Sequence, residues 1–199
     1  MKQLLLILLL STAFFSAKSQ EINLDDLHEN QVKFTNKSMS ILGGWALVNI
    51  TGGLVMRENS EGINRKFWEG NALWNSVNLG LAGASLLANQ KGKSAGTIGD
   101  YLKTEQTLQK AFIFNAGLDL AYMAAGWGMT ERGKRMEGEK AMQLRGYGKA
   151  LILQGGFLFL FDGVCYGLRT ANIQTLYDNL DVNISLGLVG NMATLRATF

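Results

Sequence analysis

The places where charge is missing constrain this chain most. Four windows, 38–56, 70–90, 111–130 and 150–168, hold 79 of its 199 residues but only two charges, Asp119 and Asp162. The other 33 charged side chains crowd into the remaining 120 positions. A helix of a water-soluble bundle keeps a polar face toward solvent, and these windows have none. Each is 19 to 21 residues long, and at about 1.5 Å per residue that matches the ~20 residues needed to cross a hydrocarbon core. The absence of Pro leaves each run unbroken. The pattern predicts an all-α fold, a four-helix transmembrane bundle made of two helical hairpins over residues 38–168.

Mean hydropathy is only +0.07, because 14 of the 24 Gly lie inside the windows beside several Asn and Ser. In lipid, small residues let helices approach closely and polar side chains bond across helices. On that basis Gly43, Gly44, Gly52 and Gly53 in the first window, and Gly80, Gly83, Ala84 and Ala88 in the second, are expected contact residues. Asn71, Asn75, Asn78 and Ser85 share one helical face, and so do Asn115, Asp119 and Tyr122. A central Asp facing lipid costs about 2.5–3.5 kcal/mol on insertion scales, so these polar stripes should face one another. The candidate site is therefore an interior polar cluster of Asn49, Asn75, Asn78, Asn115, Asp119, Gln154 and Asp162. It has two readings: amides and acids that fix helix register, or a cation or proton site.

The sequence offers no catalytic or metal-binding set. With one His and one Cys, neither a triad nor a His- or Cys-ligated zinc site can be drawn. His28 lies in a polar stretch and Cys165 among apolar residues, as a surface and a buried side chain would. No cofactor is expected. A net charge of +3 with interleaved signs gives no nucleic-acid stripe.

Residues 1–19 read as a signal peptide: Met1-Lys2, an apolar run from Leu4 to Phe15, and small residues before a cleavage after Ser19. A polar segment, 20–37, follows. With the mature N-terminus on the periplasmic side of the cell membrane, the loops 57–69 and 131–149 face the cytoplasm with nine Lys or Arg. The outer membrane stays open as a location. Trp68, Trp127 and Tyr147 would mark one interface, and Trp45 and Tyr166 the other. In the tail, 169–199, Val182, Ile184, Leu186 and Leu188 alternate with polar residues, and a second alternating run ends at Phe199. That predicts a short C-terminal β-hairpin, which could dock a protein partner beside the membrane lipid.

The strings Leu73-Trp74-Asn75-Ser76-Val77-Asn78-Leu79, Phe114-Asn115-Ala116-Gly117-Leu118-Asp119 and Leu151-Ile152-Leu153-Gln154-Gly155-Gly156, continuing to Asp162, carry a resemblance. The chain resembles an uncharacterised family of small four-helix membrane proteins with a signal peptide from Bacteroidota-type bacteria, over roughly residues 40 to 168. The resemblance implies the architecture but no activity, cofactor or catalytic residue. The expected function is non-enzymatic: an integral membrane protein serving as a structural or accessory subunit of a cell-envelope complex. The alternative is a small ion- or proton-conducting protein using its intramembrane Asp residues.

Overall fold

The computed structural model describes residues 23–89 and 96–179, with side chains as far as Tyr177, and the backbone of residues 183–189 and 192–198. The expected signal peptide lies outside them. Four helices fill the part up to Asn179: α1 Leu24–Glu58, α2 Gly62–Asn89, α3 Ile98–Lys134 and α4 Gly138–Asn179. Residues 23–175 form one compact unit. The helices are 35, 28, 37 and 42 residues long, well beyond the charge-free windows, because their outer turns carry the charged residues.

Helix ends follow local chemistry. Asn23 caps α1 through Oδ1, which accepts from the backbone N–H of Asp25 at 3.0 Å and of Asp26 at 3.4 Å. Thr97 and Asp100 form a reciprocal box on α3: Asp100 N–H donates to Thr97 Oγ1, and Thr97 N–H donates to Asp100 Oδ2 at 2.9 Å. The short connections before α2 and α4 each end on a glycine in the left-handed region, Gly62 at φ 56° and Gly138 at φ 74°, where a Cβ would be strained.

One expectation is corrected. The predicted fold class included a C-terminal β-hairpin as part of the fold, but the described residues within 23–179 are helical throughout, and the strands Asn183–Val189 and Met192–Thr198 pair only with each other, outside the compact helical unit. The fold class is all-α, a four-helix bundle. Helix α4 runs on to Asn179 instead of stopping near Leu168, since its inward row continues through Arg169 and Leu176. Alternation is only a local pattern, and two strands alone bury too little to stand as a layer. The docking surface expected there for a protein partner has no support.

The inward faces repeat every seven residues. On α4 the buried row is Ala141, Gly148, Gly155, Asp162, Arg169 and Leu176. On α3, Glu105, Asp119, Gly126 and Gly133 keep the same spacing. On α2, Asn71, Asn75, Asn78 and Ala82 follow the four–three alternation of the same seam. A 3.5-residue period is the signature of left-handed supercoiled packing. These seams are made of Gly, Ala and polar residues in place of Leu.

Close approach follows from that choice. A Cβ built on Gly126 would lie 2.5 Å from the carbonyl oxygen of Gly148, and one on Gly155 would lie 2.9 Å from that of Asp119. Gly53, Gly70, Gly133 and Gly146 likewise press on neighbouring helices. Of the glycines expected to make contacts, Gly53 does so tightly and Gly43 at an ordinary 3.6 Å from Ala82, whereas Gly44, Gly52, Gly80 and Gly83 face open space. Ala84 and Ala88 are exposed. The tight contacts instead gather on α3 and α4.

Two outcomes follow. Gly126→Leu should lower stability in thermal unfolding by about 1–3 kcal/mol or more through overpacking. Gly80→Ala should be neutral or stabilising by up to ~1 kcal/mol, because Ala is the better helix former. Equal effects at the two sites would refute the close-approach assignment. The second outcome concerns acid. The backbone and side-chain hydrogen bonds from Thr97 hold the Asp100 carboxyl below its usual range. Its stabilising contribution is therefore full above the unfolded pKa of about 4 and lost as pH falls through the lower folded value. Asp100→Asn should flatten this part of an acid unfolding curve; an unchanged curve would remove the cap from the account.

Candidate functional site

The interior carries polar groups at three heights. Nearest the α1–α2 turn lies a closed ring of donors. Trp45 Nε1–H donates to Gln154 Oε1 at 3.0 Å, Gln154 Nε2 donates to Asn71 Oδ1, Asn71 Nδ2 donates to Asn49 Oδ1 at 2.7 Å, and Asn49 Nδ2 donates to the carbonyl of Trp45 at 2.8 Å. The ring ties α1, α2 and α4 together, and Trp45 also stacks on Phe157 at 3.9 Å between centroids. Asn75 donates to the carbonyl of Asn71 at 2.8 Å, and Asn78 reaches Asn75 Oδ1 at 3.4 Å. Asn71, Asn75 and Gln154 are wholly buried. In a low-dielectric interior such a head-to-tail circuit is worth more than its separate bonds.

At mid-height Asp119 on α3 and Asp162 on α4 are near neighbours whose carboxyl groups interact. Both are buried. Cys165, one turn along α4, sits 3.7 Å from Ser38 Oγ of α1.

The third cluster lies near the start of α1. Arg169 Nη1 donates to Glu105 Oε1 at 2.7 Å, and Gln31 Nε2 donates to the same oxygen at 2.7 Å. Arg169 Nη2 donates to the Gln31 carbonyl at 3.1 Å and to Thr35 Oγ1 at 3.4 Å, while the guanidinium carbon sits 4.2 Å over the Phe34 ring. Glu105 and Arg169 are 0% and 1% exposed, so this is a fully desolvated ion pair. Beside it, α1, α2 and α3 enclose a cavity of about 450 Å³ whose described lining includes His28, Gln31, Asn89 and Tyr101.

Of the seven candidate residues, the structure brings Asn49, Asn75, Asn78 and Gln154 into or against the ring network and pairs Asp119 with Asp162. Asn115 does not join them. It is exposed, because the α3 seam passes through Ala116 and Asp119, three apart, and leaves Asn115 outside it. Trp45, expected at an interface, turns inward instead. Arg169, past the last window, pairs with Glu105. The whole Gln31–Glu105–Arg169 cluster escaped the sequence reading. A signal for it existed: Glu105 lies two seven-residue steps before Asp119, and Arg169 one step after Asp162. Among the described residues, no group of three or more His, Cys, Asp or Glu could hold a metal ion.

This arrangement defines a class, a four-helix bundle with a polar interior and an apolar exterior. Among the described residues, twenty large hydrophobic side chains are exposed, Val48 at 70% and Phe114 at 67% among them. Helices α1 and α4 are long and apolar enough to cross a membrane. The chain belongs to DUF6992, a family of unknown function whose pattern matches residues 41–163. That match includes the ring and the Asp pair but neither Gln31 nor Arg169. No curated protein and no solved structure gives a match.

The ion pair yields a sharp expectation. Arg169→Met leaves Glu105 buried and unpaired, which should cost about 3–5 kcal/mol. Adding Glu105→Leu should recover most of that loss in thermal unfolding, since an apolar pair of similar volume carries no desolvation penalty. A double variant no better than the single one would refute the pairing.

Proposed function

We propose that this chain is an integral membrane protein without enzymatic activity, a structural or accessory subunit of a cell-envelope complex. One observation carries the reading: the polarity of the bundle is inverted. Among the described residues ten hydrophobic ones are buried, six of them Ala, while twenty large ones are exposed. In water, each exposed Leu, Val or Phe forgoes about 1.5–3 kcal/mol of burial. In hydrocarbon that penalty vanishes, and amides and acids gain from facing inward. A non-catalytic role is supported by the ring, whose donors are consumed by its own acceptors. It works as a fastening between helices.

A second reading rests on the meeting of Asp119 and Asp162 at mid-height, between two other polar clusters. Carboxylates buried within a span often mark an ion or proton route, which makes a small conducting protein the alternative.

Fractionation tests the first reading. The chain should stay in the membrane pellet after alkaline carbonate extraction and need detergent for release; recovery as a soluble monomer would overturn it. Proteoliposome flux separates the second. Conduction lost in Asp119→Asn would favour the route, and the absence of flux in the unaltered protein would remove it.

A further inference from the structure

The two ends of the bundle differ in charge and in how their helices begin. One end is built by residues 57–69 and 131–149, which meet in space: Lys66 Nζ lies 3.3 Å from Glu69 and 3.5 Å from Glu139, and the Gly62 position is 3.5 Å from Met142. It carries nine Lys or Arg against six Glu, a balance of +3. The other end, residues 23–37, 96–110 and 169–177, carries five of each sign and balances to zero.

Pairing sharpens the contrast. At the basic end Arg57, Lys66 and Lys134 are engaged with Glu58, Glu69, Glu139 and Glu131. Arg65, Arg132, Arg135, Lys140, Arg145 and Lys149 make no ion pair among the described residues, and all but Arg145 are exposed. Only Glu61 and Glu137 oppose them unpaired. At the other end Lys37, Lys103 and Lys110 are balanced by Asp25, Asp26 and Asp100.

Helix polarity adds to this difference. Helices α1 and α3 begin at the neutral end under Asn23 and Thr97 caps. Helices α2 and α4 begin at the basic end with no side-chain cap among the described residues, so their first N–H groups also point outward as donors. Just inside this end stand Trp127, 65% exposed, with Trp68 and Tyr147. Amphipathic aromatic rings take such positions at the level of headgroups.

We infer that the basic end is a docking surface for anionic phospholipid headgroups, with Arg132, Arg135 and Lys140 as its outermost contacts. The inference rests on the membrane reading above. Arg guanidinium forks match phosphate oxygens bidentately, and Lys supplies point charge. A lipid leaflet meets the requirement of a ring of cations directly above a belt of exposed apolar and aromatic side chains. It supplies phosphates at the height of the cations and acyl chains at the height of the belt.

The test uses the full chain extracted in mild detergent. It is presented with mixed micelles of equal phosphatidylglycerol and phosphatidylcholine, and retained lipid is counted by native mass spectrometry. Phosphatidylglycerol should be retained over phosphatidylcholine by roughly five-fold or more, given several cations near the headgroups. The preference should collapse in Arg132→Gln/Arg135→Gln/Lys140→Gln and persist in the matched triple at the neutral end, Lys33→Gln/Lys37→Gln/Lys103→Gln. It should also shrink at high salt, because these charges are solvent-exposed. Equal retention of both lipids by the unaltered protein, or the same loss in both triples, would overturn the docking surface while leaving the membrane reading standing. A chain that is soluble and monomeric without detergent would overturn both.

Discussion

Everything in this bundle depends on helices touching through backbone and small side chains. At Gly126–Gly148 and at Gly155–Asp119 there is no room for a methyl group, so α3 and α4 meet along their peptide surfaces. A seam of this kind gains dispersion contacts and short cross-helix polar contacts but releases little apolar area. Among the described residues, Leu42, Ile173 and Leu176 are the large aliphatic side chains that are buried. The large apolar side chains instead lie on the exterior, Val48, Phe114, Trp127 and Leu160 among them.

The charge-free windows made the core of this architecture legible, since a helix that must not present charge to its surroundings leaves a gap in the sequence. The full helices were not legible in the same way. Their outer turns lie beyond the windows, where helix and solvated loop look alike in composition, so composition did not mark Glu105 or Arg169 as interior residues. Faces were legible on α2, where Asn71, Asn75 and Asn78 keep the four–three spacing of the seam. They failed on α3, where a step of four back from Asp119 gives Asn115 but the seam takes a step of three to Ala116. Knowing that two residues share a broad helical face does not say which one the neighbour covers. The tail differs again: its alternation names a strand's two faces but supplies nothing for either to pack on.

The two ends of the bundle handle charge differently. At the neutral end Glu105 and Arg169 are drawn into the interior and bond to each other, Gln31 and Thr35, while Glu105 Oε2 and Arg169 Nε stay buried without a partner. At the other end the cations stay outside, on exposed turns. Burial of one pair and exposure of the other set give a bundle whose two rims present different chemistry, although the total charge of the chain is small.

The polar clusters also resolve an ambiguity that the small-residue seam creates. A row of Gly and Ala repeating every seven residues matches itself after a slip of one repeat, about 10 Å along the axis, because each Gly would find another small residue opposite. Nothing in the apolar part of the seam penalises that error strongly. The ring of Trp45, Asn49, Asn71 and Gln154 and the Glu105–Arg169 pair sit near opposite ends of the bundle, and a slip would break both at once, leaving buried amides and a buried charge unpaired. A buried ion pair adds less to stability than a well-packed apolar pair would, so its value here lies in the gap it opens between the correct register and the next one.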